Sequence, residues 1–118
     1  SFNMQKIFKF GISLSFINDD NDVDKSFTVI LDLDENNTAD QNWEIIKQKY
    51  IEVFRKLKNT QLNRILDDDA FLIHVDISEM NLVPIAEDIS VYKQIHTYSC
   101  DRSTANELVK EIFPELYD

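Results

Sequence analysis

Two runs of alternating apolar residues near the start of the chain limit what it can fold into. Every even position of residues 8–16 is apolar, and the alternation returns on the odd positions of residues 27–33. A period of two is typical of strands that bury one face and expose the other to water. Because the Asn and Asp residues at 18–22 favour a turn, the two runs predict an antiparallel hairpin with a long acidic tip.

A helix is predicted to follow this hairpin. Thr38 and Gln41 have the spacing of a capping box, and Asp40 is an alternative N-cap. Apolar residues then recur every three or four positions at Trp43, Ile46, Tyr50, Val53, Phe54 and Leu57. We expect this helix to pack across the hairpin, to be interrupted at residues 59–60, and to be followed by one or two helical turns within residues 62–66.

The second half of the chain predicts two further strands. Residues 71–77 alternate between apolar and mixed positions, which indicates a third strand. Residues 91–98 are rich in aromatic and β-branched side chains, which favours a fourth. Because Pro84 restricts the backbone of the residue before it and cannot lie inside a regular helix, residues 78–89 are interpreted as a loop.

A last helix is expected after the fourth strand. Ser103 or Thr104 would cap it, and Pro114 would end it. Its apolar stripe consists of Ala105, Leu108, Val109 and Ile112. The order of elements is therefore ββαββα, which predicts an α+β fold with a four-stranded, mostly antiparallel sheet and two main helices packed on one face.

The length of the chain favours one domain. Its 118 residues are 43% hydrophobic, so a single core is expected to offset the entropy of ordering. Residues 1–3 precede Met4 and resemble the remnant of an expression tag, which leaves a single acidic α+β domain over residues 4–118. With no leader after Met4, no long apolar run and a lone cysteine, Cys100, a cytoplasmic protein that does not bind a membrane is expected.

The charge of the chain is strongly negative and unevenly distributed. Twenty-two acidic residues face twelve basic ones, for a formal net charge of −10. Direct binding to a phosphate backbone is therefore disfavoured, whereas encounter with a basic protein is accelerated. Residues 41–64 reverse the balance with six basic residues against two acidic ones, so the negative surface is expected to lie away from the first helix.

The acidic residues are clustered, and this clustering indicates a docking surface. An acidic surface can serve solubility alone, but crowding carboxylates into a few short segments adds self-repulsion that evenly spread charge avoids. Two aromatic residues near the rim are candidate anchors. The predicted partner-binding residues are Asp19, Asp20, Asp22, Asp24, Asp67, Asp68, Asp69, Glu87, Asp88, Tyr92 and Tyr98.

Motifs for metals and phosphates are incomplete. The alternating carboxylates from Asp20 to Asp24 resemble the start of a calcium loop, but Lys25 stands where a glycine is needed and Leu31 where the closing glutamate belongs. The only glycine, Gly11, lies within a strand pattern, so a glycine-rich phosphate loop is excluded. No cofactor, metal ligand or catalytic residue is predicted in the main hypothesis.

An alternative of another class uses histidines. His74, Asp76 and His96 could supply a base, an orienting acid or metal ligands to a small enzyme or metal-binding protein, with Cys100 as a nucleophile. This alternative requires the side chains of His74, Asp76 and His96 to converge in one pocket.

The leading functional hypothesis is a small acidic protein that binds and neutralises a basic protein partner. In size, charge and lack of a catalytic motif, the chain resembles cytoplasmic immunity proteins, which block a toxin or nuclease. That resemblance implies an inhibitor that is not an enzyme. A phage-type DNA mimic, which blocks a DNA-binding enzyme, is the alternative, and a long row of carboxylates along one edge would favour it.

Overall fold

The chain folds into four strands and two helices in the predicted order ββαββα. The structure is a computed structural model and describes residues 2–16, 19–58, 71–98 and 102–117. The elements are β1 (Asn3–Phe16), β2 (Asp19–Asp34), α1 (Ala39–Lys58), β3 (Phe71–Ala86), β4 (Ile89–Tyr98), α2 (Arg102–Ile112) and a 3-10 helix (Pro114–Tyr117). The strands form one antiparallel sheet in the order β2-β1-β3-β4. The predicted α+β fold is thus confirmed.

β1 occupies the centre of the sheet and supplies much of the core. Phe10 lies directly opposite Phe27 of β2 on one side and Ile77 of β3 on the other. The buried residues of the three strands are Phe8, Phe10, Ile12, Leu14, Leu31, Leu33, Val75 and Ile77. Because these residues alternate along each strand and lie opposite one another across the register, the buried apolar residues of all three strands share one face.

The N-terminus of α1 is held by the predicted capping box. The backbone N–H of Gln41 donates to Oγ1 of Thr38 at 3.2 Å, and the backbone N–H of Thr38 donates to Oε1 of Gln41 at 2.8 Å. Each side chain therefore satisfies a backbone donor that the first helical turn leaves without a partner.

α1 lies across the whole width of the sheet. Near its start, the ring of Trp43 stacks on Tyr98 of β4 with centroids 5.1 Å apart. Near its end, the ring of Phe54 meets Phe27 of β2 edge-on at 5.8 Å. Between them, Tyr50 contacts Phe10 at 5.7 Å, so the helix covers more than the hairpin predicted from the sequence.

α2 packs beside the C-terminal half of α1. Leu108, Val109, Ile112 and Phe113 are buried in the same core as α1 and the sheet. Nη2 of Arg55 donates to the backbone carbonyl of Glu111 at 3.0 Å, which ties the end of α2 to α1. Both helices therefore cover one face of the sheet, and neither has the length together with the apolar character that a membrane-crossing helix needs.

The loop predicted for residues 78–89 is wrong, because β3 continues to Ala86 and pairs with β4. β1 stops pairing with β3 at Met80, so beyond this point β3 has a neighbour on one side only. A proline is tolerated there because an edge position or an irregularity in pairing needs no donor from it, and the β3–β4 register shifts next to Pro84. A turn at Glu87 and Asp88 joins the two strands, with Asp88 in the left-handed region at φ 63°.

Two other boundaries differ from the prediction. The acidic run expected as a hairpin tip lies mainly within β2, which begins at Asp19, since a sheet with one solvated face accommodates carboxylates at its outward positions. α2 begins at Arg102, so neither Ser103 nor Thr104 is its N-cap. The interruption at residues 59–60, the helical turns expected within residues 62–66, and Asp67, Asp68 and Asp69 lie outside the described residues.

The central position of Phe10 makes it a sensitive probe of this packing. We expect Phe10→Ala to lower the free energy of unfolding by about 3–5 kcal/mol, because it leaves a cavity between Tyr50 and the sheet. Urea unfolding followed by the fluorescence of Trp43 measures the change. The control is Ile30→Ala, at a residue that is 61% exposed, where a change within about 0.5 kcal/mol is expected. Equal effects at the two positions would contradict this description of the core.

Candidate docking surface on the open face of the sheet

The face of the sheet that α1 and α2 leave uncovered, termed here the open face, brings together residues from three strands. Odd-numbered residues of β1 and even-numbered residues of β2 and β3 point to it, since their neighbours in sequence are in the core. The register gives three rows across β2, β1 and β3: Asp24, Ser13 and His74; Ser26, Gly11 and Asp76; and Ile30, Ile7 and Met80.

A shallow depression of about 300 Å³ lies over Gly11. It is lined by Lys9, Ser13, Asp24, Lys25, Ser26, His74 and Asp76, among others. A Cβ added at Gly11 would lie 3.7 Å from the backbone oxygen of Asp76, which is ordinary van der Waals contact. The missing side chain therefore opens space beside the carboxylate of Asp76 without any crowding of the backbone.

The aspartates of the open face are not neutralised within the described part of the chain. Asp24, Asp32 and Asp76 lie on this face by register, whereas Asp22 falls in the irregular part of the β1–β2 ladder and has no register partner. No ion pair involves these four residues among the described residues. Of their side chains, only that of Asp76 has a hydrogen bond within the described ranges, accepted from Oγ of the buried Ser78 at 3.2 Å. Lys9 and Lys25 line the depression without pairing to these carboxylates, so part of the negative charge is balanced locally and the rest faces solvent.

The basic surface predicted for α1 is, by contrast, largely paired with glutamates. Lys47 pairs with Glu44, while Lys49 and Lys56 both pair with Glu52. The hydrogen bond from Lys56 contributes most to the lowering of the pKa of the Glu52 carboxyl below its usual value, and the positive charges of Lys49 and Lys56 add to it. Arg55 and Lys58 reach the glutamates of the C-terminal segment, Glu111 and Glu115. The helical layer therefore has few free cations to offset the charge of the open face.

Next to the carboxylates, the open face carries a row of apolar residues, termed here the apolar strip. Ile30, Ile7 and Met80 are direct neighbours across β2, β1 and β3, and Leu82 lies opposite Tyr92 where β3 continues with β4. Ile30, Leu82 and Tyr92 are about half exposed or more. Asp24 and Asp76 lie on one side of the strip and Asp32 on the other, so apolar surface is bordered by charge, as in many protein interfaces.

The predicted partner-binding residues are spread over several parts of the structure. Asp24 lies on the open face, Asp22 is exposed beside it in β2, and Glu87 and Asp88 are exposed at the β3–β4 turn. Tyr92 lies on the open face, half exposed. Asp19 and Asp20 belong to β2, and Asp67, Asp68 and Asp69 lie outside the described residues.

Tyr98 lies apart from this surface, on the side of the sheet that α1 covers. Its ring stacks on Trp43 and lies 6.2 Å from Phe8 and 4.7 Å from His96. Burial, reinforced by the nearby carboxylate of Glu79, raises the pKa of the Tyr98 phenol above its usual value.

The three residues of the histidine alternative do not converge. His74 and Asp76 are on the open face, whereas His96 pairs with Glu79 and contacts Tyr98 on the helical side. Within the described ranges, no group of three His, Cys, Asp or Glu side chains is placed to hold a metal ion. Cys100 lies outside those ranges.

Sequence reasoning missed the apolar strip and the polar residues around Gly11. Ile7 and Ile30 each continue an alternating strand pattern on its outward side, and an apolar residue at an outward position is a usable signal. Nothing local, however, indicates that the two are neighbours of Met80, because this depends on the register of β1 with β3.

The raised pKa of Tyr98 predicts a loss of stability at high pH. Tyr98 ionises near its ordinary pKa of 10.0 in the unfolded state and only at higher pH in the folded state. Its contribution to the free energy of unfolding is therefore complete below pH 10.0 and is lost as the pH rises through the folded pKa. The difference between the phenolate absorbance titrations of the wild-type chain and of Tyr98→Phe should be a single step above pH 10.0. Urea unfolding should also show a smaller decline above pH 10.0 in the variant, and an unchanged late titration would contradict the assignment.

Comparison of the chain with protein-family models, with curated proteins and with solved structures finds no match. The function must therefore be inferred from the surface that the fold creates.

Proposed function

We propose that this protein binds and neutralises a basic protein through the open face of its sheet, acting in the cytoplasm as an immunity protein does against a toxin or nuclease. The observation that carries the proposal is the combination of aspartates without ion pairs and an exposed apolar strip on one helix-free face. The paired cations of α1 support it, since they leave the negative charge of the opposite face uncompensated.

Binding would proceed in two stages. The net charge of −10 accelerates encounter with a cationic partner, and the open face then orients that partner. Arg or Lys side chains of the partner, which would otherwise hold phosphate, form charge-assisted hydrogen bonds with Asp22, Asp24 and Asp76. The depression over Gly11 gives one such side chain room beside Asp76, and this contact occludes the partner's active site.

The apolar strip would supply the affinity that surface charges alone do not. Solvent-exposed ion pairs contribute little because water screens them, whereas an aromatic side chain buried at an interface is often a hot spot. Tyr92 is the aromatic residue of the strip, opposite Leu82.

The arrangement supports a compact docking patch more than a mimic of DNA. A mimic needs an unbroken row of carboxylates, but the outward positions of β2 between Asp24 and Asp32 are Ser26, Thr28 and Ile30. The interruption spans about 27 Å of strand at about 3.4 Å per residue. A patch in which carboxylates border an aromatic residue is what an inhibitor of a basic enzyme requires.

The role of the aspartates can be tested with two variants of equal charge. Asp24→Asn with Asp32→Asn removes two carboxylates of the open face, and Glu35→Gln with Glu107→Gln removes two exposed carboxylates elsewhere that have no ion pair among the described residues. A basic protein captured from the lysate of the native host, identified by mass spectrometry and purified, serves as the probe. We expect the open-face variant to lower its association rate about tenfold at low salt, and the control variant to change it less than about twofold.

Two results of this experiment would contradict the proposal. One is that no basic protein is retained at low or at moderate salt. The other is that the two charge-matched variants slow association equally, which would indicate a general effect of net charge instead of a defined surface.

The anchoring role of Tyr92 gives a second prediction. Tyr92→Ala should weaken binding of the captured protein by about 2 kcal/mol, mainly through faster dissociation, because the contact would bury the half-exposed ring of Tyr92. Tyr92→Phe, which keeps the ring, should retain most of the affinity. Surface plasmon resonance separates the two rates, and equal dissociation rates for wild type and Tyr92→Ala would exclude Tyr92 as an anchor.

A further inference from the structure

The two edge strands of the sheet differ in how many charged residues they carry. In the part of the sheet that the structure describes, the order is β2-β1-β3-β4, so β2 and β4 each have a neighbour on one side only and present backbone N–H and C=O groups on the other. β2 contains six aspartates and Lys25 among its sixteen residues. β4 contains one charged residue, Lys93, and neither an acidic residue nor a proline.

Charge on an edge strand prevents it from pairing with another chain, because the incoming strand would have to desolvate or repel that charge. In a protein with a net charge of −10, the absence of carboxylates from one complete edge strand is therefore an exception. It leaves β4 as the edge where a second strand can approach without electrostatic repulsion.

β4 is also the most exposed strand of the described sheet. Its side chains from Ile89 to His96 are all exposed, and Ile89, Val91 and Ile95 are each about half accessible to water. Neither helix covers this part of the β3–β4 hairpin, which extends past the end of β1 pairing at Met80. Such a surface marks an interaction site.

An irregularity in the β3–β4 pairing limits the length of β4 that is available as a regular edge. His96 pairs with Glu79 and Gln94 with Met80, so Ile95 is an extra residue in the ladder. Residues 90–94 pair with β3 without a register shift before this bulge, and five residues is the length of an ordinary strand.

We propose that β4 pairs in antiparallel orientation with β4 of a second copy of this chain. A strand without carboxylates has nothing to attract the basic partner of the open face, but it is the place where two copies of charge −10 meet with least repulsion. The proposal rests on the two edges of the sheet and not on the proposed function.

Pairing of this kind gives a closed dimer and not an open-ended assembly. A two-fold axis at the joined edges gives one continuous eight-stranded sheet, whose outer edges are the two charged β2 strands. Growth into a fibre stops there, because β2 resists further pairing. Both open faces lie on the same side of the continued sheet, so a dimer presents two docking surfaces side by side.

Sedimentation equilibrium and light scattering of the wild-type chain test the proposal at concentrations up to about 100 μM, a range that detects weak association. We expect a dimer of twice 13.9 kDa. The test variant is Val91→Lys, within the regular stretch of β4, and the matched control is Ile30→Lys on β2. Both variants make the net charge less negative, so a general charge effect would favour association in each.

Val91→Lys should raise the dissociation constant about tenfold or more because it places a charge on the pairing edge, and Ile30→Lys should leave it unchanged. A wild-type chain that remains monomeric over this range, or a control that dissociates as readily as Val91→Lys, would overturn the proposal. Circular dichroism checks that both variants are folded.

Hydrogen exchange of the wild-type chain gives a readout that does not depend on a variant. Raising the protein concentration should slow exchange of amides in β4, whereas those of β2 should exchange at an unchanged rate. Concentration-dependent protection confined to β2 or to the helices would place the contact elsewhere and exclude the β4 edge.

Discussion

The packing of α1 against one face of the sheet is the contact on which the rest of the structure depends. Phe10, Tyr50, Phe54 and Phe27 form a continuous series of ring contacts with centroids 4.6–5.8 Å apart, which joins the helix to β1 and β2. Aromatic pairs at such distances stabilise beyond the area that they bury. Among the described residues, one layer of helices covers the four-stranded sheet and nothing covers its second face, which must therefore be compatible with water.

This division into two faces also separates the charges. Lysines and Arg55 of α1 pair with glutamates of the helical layer and the C-terminal segment, whereas the described aspartates of the open face form no ion pairs. Exposed ion pairs add little stability, so their main effect here is electrostatic. They neutralise the cations of α1, so these cations do not offset the negative field of the open face and of the turn at Glu87 and Asp88.

Features that depend on neighbours in sequence were predictable. The capping box of Thr38 and Gln41 and the alternation of β1 each involve residues within one turn or one strand, and both are present. The loop predicted around Pro84 failed because a proline is disfavoured only where both sides of a strand are paired, and β1 ends before that position. His96 could not be assigned to a face from the sequence, since the bulge at Ile95 breaks the alternation of β4.

The sequence by itself determined the alternating buried side chains of β1, most of the buried side chains of α1, the order of elements, and the acidic balance of the chain; it missed Ile51 of α1. Tertiary structure alone decided that Ile30, Ile7 and Met80 are neighbours, that the cations of α1 are already paired, and that β4, which has no carboxylate, is an edge of the sheet. A period of two tells which residues of one strand share a face. Which strands lie side by side, in which register, and which face a helix covers depend on contacts between residues far apart in the chain, which no local pattern encodes.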